Sequence, residues 1–268
     1  MCKCRVVLSF DDGRKDNFSI VEPILKKYGL HATFNIATAY VDRSCPSDKL
    51  PGPNEPMEVN HIKYLYNNGH EIAAHGNCHS NILEDIAMGI NKLELWINKH
   101  SDLGFASPES KLGYSDVLNL QDVYRGLGIS YVRIGPKGPD SFIFRVLRKL
   151  SYLTGNCRLF YHVYKDSLIS DSNYVYHSIP IMRNNSFKQI KYLIRRAILQ
   201  EKSCILMFHS ILNSGSPFYE DTWTWDSGSF DDLCSWLHWM SANKEVCVCT
   251  TYEMSRGSSD YDSRKSIT

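Results

Sequence analysis

The chain has 268 residues, 43% apolar and 22% charged, which excludes disordered and fibrous classes and leaves room for one large core or two small ones. Its 30 Lys and Arg against 29 Asp and Glu give a formal net charge of +1, too weak a field to recruit a nucleic-acid backbone, so no nucleic-acid partner is expected. No apolar run reaches the ~20 residues of a membrane-crossing helix; no signal-peptide pattern precedes Val6-Val7-Leu8, so a cytoplasmic protein without a transmembrane segment is expected.

Short apolar runs alternate with longer helical patterns along the chain. Strands are expected at Arg5 to Phe10, Ala32 to Ala37, Glu71 to His75, Gly104 to Ser107, Tyr131 to Gly135, Val175 to Ile181, Cys204 to His209 and Val246 to Thr251. Helical patterns fall at Asn17 to Tyr28, Val59 to Asn68, Ile82 to His100, Ser115 to Leu127, Phe187 to Gln200 and Phe230 to Ser241. This alternation predicts an α/β fold, a single (β/α) barrel over residues 1–254 rather than two open sheets. Gly29, Gly69, Gly126 and Gly128 sit where left-handed helix C-caps are wanted. The stretch Cys45 to Pro53 reads as a loop, and the polar residues 255–268 read as a disordered tail.

One segment breaks the rhythm. Residues 138–172 replace a short β-α unit with an insertion whose Phe142 to Leu150 stretch is apolar and basic together. An insertion packed over the barrel is expected, and peripheral contact of 142–150 with an anionic membrane is the alternative. Nine cysteines are too many to ignore, but the odd number and the chain length favour reduced thiols over a disulfide framework. Cys2 and Cys4, like Cys247 and Cys249, are two apart, which places each pair on one strand face and not in zinc-knuckle spacing.

In a barrel the functional groups gather where strands end, so polar residues there are the candidates. Asp11-Asp12-Gly13 follows the first strand, His75-Gly76-Asn77-Cys78-His79 the third, Ser107-Pro108-Glu109 the fourth and His209-Ser210 the seventh. Adjacent buried carboxylates repel unless a cation offsets them, and a divalent metal is the strongest offset. Two histidines four apart plus one carboxylate leave coordination positions open, the pattern of a catalytic and not a structural zinc site. Alone, Asp-Asp-Gly is a turn and H-x-x-x-H a pair of surface histidines. Their common place at strand ends makes them one site.

Ser9-Phe10-Asp11-Asp12-Gly13, His75 to His79 and Leu206-Met207-Phe208-His209 resemble, in order and spacing, the first, second and fifth motifs of the polysaccharide deacetylases, carbohydrate esterase family 4. Thr33-Phe34 matches a further stretch, and the resemblance runs from about Arg5 to Glu253. It implies a distorted (β/α)7 barrel and a metal-dependent hydrolase that removes an N-acetyl group from a sugar of an oligo- or polysaccharide. Asp12, His75 and His79 would hold the metal, zinc in the first instance, with cobalt, nickel or manganese as substitutes. Asp11 would act as base towards a metal-bound water, and His209 as the acid that protonates the leaving amine. A backbone N–H near Pro108 to Glu109 would face the oxyanion.

The family's third motif, Arg-x-Pro-Tyr, is altered: Ala106 stands in the Arg place and Glu109 in the Tyr place. Arg133 on the next strand is the candidate replacement beside Asp11, against the alternative of a surface arginine. The fourth motif, which contains Asp and Trp, has no match. Trp223 and Trp225 are candidate platforms for a sugar ring, or else cover the barrel mouth. An O-acetyl esterase with the same site, and a catalytically decayed carbohydrate-binding or scaffolding barrel, are the rival readings.

Overall fold

The computed structural model describes residues 4–45, 55–100, 102–138, 141–170, 173–219 and 221–257. Its strands are β1 (Arg5–Phe10), β2 (Thr33–Ile36), β3 (Glu71–Ala74), β4 (Leu103–Ala106), β5 (Ile129–Ile134), β6 (Val175–His177), β7 (Ile179–Pro180) and β8 (Cys204–Phe208). They lie in the order β6-β5-β4-β3-β2-β1-β8-β7, all parallel. Strands β6 and β7 are two halves of one extended segment broken at Ser178: the first half pairs with β5, the second with β8. That shared segment brings the two edges of the sheet together, so the expected 175–181 strand closes a distorted seven-stranded barrel of one domain.

Alternation along each strand divides the core in two. Val6, Leu8 and Phe10 face outward and join the large cluster under the helices, whereas Val7 joins Tyr131, Tyr176 and Ile205 inside the barrel. Phe10 stacks between Phe34 and Phe208 of the neighbouring strands at centroid distances of 5.3 Å, cross-strand contacts that help fix the register. Below β2, the two-residue strand Cys247–Val248 pairs with the start of β1 at Arg5 and Val6. The eighth expected strand is therefore shorter than 246–251: Thr250 is the N-cap and Thr251 the first residue of the helix Thr251–Arg256, closed by a Thr250–Glu253 capping box. This helix takes in Ser255 and Arg256 of the expected tail; residues 258–268 lie outside the described residues, as do 46–53 of the expected loop and Cys2.

The connecting helices are α1 (Glu22–Lys27), α2 (Thr38–Val41), α3 (Val59–Asn67), α4 (Leu83–Ile97), α5 (Tyr114–Asn119), α6 (Gln121–Gly126), α7 (Phe142–Thr154), α8 (Cys157–Tyr164), α9 (Phe187–Leu199) and α10 (Ser227–Ala242). Three local expectations are corrected. The pattern at 17–28 opens with a π-helical turn, Asn17–Val21. The pattern at 115–127 is two helices, because the backbone at Leu120 (φ −107°, ψ 13°) leaves helical geometry. Gly126 closes α6 and is not a left-handed cap, a role Gly128 (φ 78°) takes with Gly29 and Gly69. The insertion folds as α7 and α8, which pack against α9; Gln189 of α9 donates to the carbonyl of Ser151 at 2.8 Å. Among the described residues no helix is long and apolar enough to cross a membrane.

Candidate metal centre and active site

Strand β1 delivers two carboxylates to the carboxyl end of the barrel. Asp11 is buried, with Oδ2 2.7 Å from the Arg133 guanidinium and Oδ1 accepting from Asn35 Nδ2 at 2.8 Å. Arg133 reaches it because Arg133 and Ala106 are register partners on β5 and β4, so the alanine leaves room for a guanidinium from the next strand. Its other branch donates to Ser178 Oγ at 3.0 Å, at the break between β6 and β7. Burial works to raise the Asp11 pKa, but Arg133, then His75 and His209, outweigh it and hold the carboxyl below its ordinary range. Asp11 is a carboxylate at neutral pH.

Asp12 sits beside it with a left-handed backbone (φ 80°), a costly conformation for a non-glycine residue. Its Oδ2 accepts from Arg14 Nε at 2.9 Å, and Arg14 Nη1 donates to Ser210 Oγ at 2.9 Å. Its Oδ1 is buried with no hydrogen-bond partner among the described residues, and lies 3.5 Å from both His75 Nε2 and His79 Nε2. One ligand atom from each of the three residues fits within a 4.8 Å span. His75 Nδ1 contacts the carbonyl of Ala106 at 2.8 Å; a proton there leaves the Nε2 lone pair facing Asp12. His79 is pushed down to about 4 chiefly by burial, then by His75, so its imidazole is neutral at pH 7. An orphaned carboxylate oxygen facing the Nε2 atoms of two imidazoles is the donor set a divalent cation requires, so the residues present fit the expected metal.

The loop carrying the histidines is held from below. Asp85, in the first turn of α4, accepts from the backbone N–H groups of Asn77, Cys78 and Ser80 at 2.9 to 3.2 Å. Gly89 lets the helix approach: a Cβ there would lie 2.8 Å from the Gly76 carbonyl carbon. His209, half-buried, follows β8; its carbonyl accepts from Asn17 Nδ2 at 2.7 Å, which gives the π-helical turn a structural purpose. Its Nδ1 is buried without a partner among the described residues. Burial lowers the His209 pKa against the pull of Asp12 and Asp11.

These groups line a cavity of about 690 Å³ that also takes in Glu109, Trp223, Arg148 and Tyr152. The turn after β4 places Glu109 (φ 54°) on the cavity, while Pro108 is buried and its carbonyl accepts from Asn81. Trp223 is 38% exposed with its ring centroid 4.5 Å from that of His209. The expectation for Trp225 is corrected: it is 1% exposed, packs against Phe208 and donates Nε1 to the Asn185 carbonyl at 2.7 Å, so it has no free ring face for a sugar. Arg14, Asn35, Asp85, Arg148 and Tyr152 were not anticipated. Asn35 alone had a signal, a polar residue at the inward position of the apolar strand Thr33-Phe34-Asn35-Ile36.

A parallel barrel with an Asp-His-His cluster and a second, ion-paired Asp at the carboxyl ends of its strands defines the class: a (β/α) barrel with a candidate hydrolytic metal centre. Residues 1–119 match the family model described as polysaccharide deacetylase, and the family resemblance seen in the motifs is borne out. The fold is similar to a polysaccharide deacetylase structure from Mycobacterium smegmatis described as putative, at 13% identity and a TM-score of 0.53, over 95% of this chain and 90% of that one. The catalytic domain of a peptidoglycan N-acetylglucosamine deacetylase from Eubacterium rectale also matches, at 16% identity, TM-score 0.48, and 92% and 89% coverage. A Streptococcus pyogenes deacetylase solved with acetate matches at 18% identity and TM-score 0.40, over 49% of this chain and 56% of that one. The match spans 65% of a Bordetella bronchiseptica deacetylase domain. No curated protein matches.

Proposed function

We propose that the protein is a metal-dependent deacetylase that hydrolyses the N-acetyl group of an acetylated sugar, acting on an oligo- or polysaccharide. The observation that carries this reading is the pairing of an orphaned Asp12 Oδ1 between His75 and His79 with a separate, ionised Asp11 next to it. Asp12, His75 and His79 would hold the ion, most plainly Zn2+ on their donor chemistry. A divalent ion bound there supplies a more acidic water and polarises the carbonyl.

The chain's own residues divide the remaining work. Arg133 and Asn35 fix both oxygens of Asp11, so that the base is deprotonated and oriented before substrate arrives. Asp11 takes a proton from the attacking water, the acetamide C–N bond breaks, and His209 gives a proton to the departing nitrogen; acetate and a free amine result. In this reading Arg133, from β5, stands in beside Asp11 for the arginine that the third motif lacks at Ala106. The turn at Glu109, on the cavity wall, would supply a backbone N–H to the oxyanion, and Trp223 offers a half-exposed ring over His209 for a pyranose face. Acetate release from N-acetylglucosamine oligomers and from acetylated xylan, with zinc or cobalt present, tests the reading. Release from the oligomers is expected; release from xylan alone makes the protein an O-acetyl esterase, and release from neither overturns both.

A further inference from the structure

Helix α7 leaves the C-terminal end of β5 and borders the cavity mouth, where Arg148 and Tyr152 line the wall. One face holds it to the protein: Ser151 is buried, and Phe144, Leu147 and Tyr152 pack against the main core. A second face carries Phe142 (74% exposed), Ile143 (71%), Val146, Leu150 and Leu153 (65%). At 3.6 residues per turn these five side chains fall within about a third of the helix circumference, a continuous apolar stripe. Arg145 and Lys149, both exposed, run along one border of that stripe. Between residues 141 and 165 the sequence has Arg145, Arg148, Lys149, Arg158 and Lys165 and no acidic residue, whereas the whole chain is close to neutral. Phe218 and Trp223, on the loop after β8 at the same end of the barrel, are exposed as well.

An apolar stripe alone would suit any apolar partner. A stripe edged by cations, within a stretch of uncompensated positive charge, fits an anionic lipid surface: the apolar side chains enter the boundary and the long basic side chains lie among the headgroups. We propose that α7 is an interfacial membrane-docking helix that sets the mouth of the barrel against an anionic bilayer. The docking does not depend on the deacetylase reading, since vesicle binding is measured without turnover.

The test is co-sedimentation of the full chain with vesicles of phosphatidylcholine alone and of equimolar phosphatidylcholine and phosphatidylglycerol. Binding is expected on the anionic vesicles. Phe142→Glu with Ile143→Glu should weaken it at least about tenfold by removing apolar burial. Arg145→Gln with Lys149→Gln should weaken it about twenty-five-fold, at about fivefold per basic residue. Met88→Glu with Leu95→Glu, which adds the same charge to exposed positions of α4, should leave it unchanged. No sedimentation of the wild-type chain with anionic vesicles overturns the proposal, as does equal loss in the α4 variant. A dimer in solution that the Phe142 and Ile143 substitutions dissociate would show that a second copy covers the stripe, and would also overturn it.

Discussion

Replacing Arg133 with Met tests how the chain makes room for a charged base inside its barrel. Asp11 and Arg133 are both buried and their contact is 2.7 Å. Removing one partner of such a pair strands the other charge in a medium that solvates it poorly, a cost of about 3–5 kcal/mol. With an urea m-value of about 3 kcal/mol/M, the midpoint should fall by about 1–1.7 M in chelator-treated protein at pH 7. Ser178→Ala, which removes the second contact of the guanidinium and the Ser178 Oγ donation to the Ile134 carbonyl at 2.9 Å, should cost about 1–2 kcal/mol. Asp11→Asn with Arg133→Met removes both charges, so the double variant should be more stable than Arg133→Met alone, with a coupling energy of about 2 kcal/mol or more. A midpoint for Arg133→Met within the error of wild type, or strictly additive effects in the double variant, would refute the claim that the pair stabilises the Asp11 carboxylate.

Three further outcomes follow from neighbouring residues. Asp12→Ala should lower zinc affinity at least about a hundredfold by titration calorimetry, since it removes a ligand and not just its support; unchanged affinity would remove Asp12 from the metal set. Gly89→Ala puts a Cβ 2.8 Å from the backbone of Gly76, next to His75. It should lower the melting temperature and the zinc affinity together, although alanine is favoured over glycine in a helix by about 1 kcal/mol; a stabilised protein would contradict the close approach. His70 is buried and accepts from the Ala32 N–H through Nδ1, and burial, then His31, lowers it from 6.5 to about 4. The unfolded chain therefore binds the extra proton first: the contribution is complete above pH 6.5 and lost as pH falls towards 4, about 3 kcal/mol in all and about 2 by pH 5. His70→Asn, which keeps an acceptor and does not titrate, should flatten that part of the urea-midpoint profile; an unchanged profile would rule His70 out as its source.

The parts of this site that lie next to one another in sequence could be read there. Asp11-Asp12-Gly13 and His75 to His79 each follow an apolar run that can only be a buried strand, and barrel geometry takes their ends to one rim. Arg133 was legible for the same reason, as a cation on a strand that ends at that rim. Asp85 and Gly89 were not, because their roles exist only once α4 is laid beneath the histidine loop. Trp223 and Trp225 look alike in sequence, yet β10 (Thr224–Asp226) pairs with β9 (Ser210–Leu212) and buries the second ring against Phe208. The π-helical turn at Asn17 likewise answers to a tertiary contact, the Asn17 amide on the His209 carbonyl, and not to hydrophobic period.

Under the proposed function, Asp12, His75 and His79 hold a metal with which Asp11 and His209 hydrolyse an acetamide. Zinc titrated into chelator-treated protein, with acetate release from N-acetylglucosamine oligomers followed in the same samples, tests it most directly. One bound zinc per chain is expected, with release that rises in step with loading and an Asp11→Asn variant that binds zinc but releases no acetate. Release from metal-depleted protein, or turnover by Asp11→Asn, would contradict it.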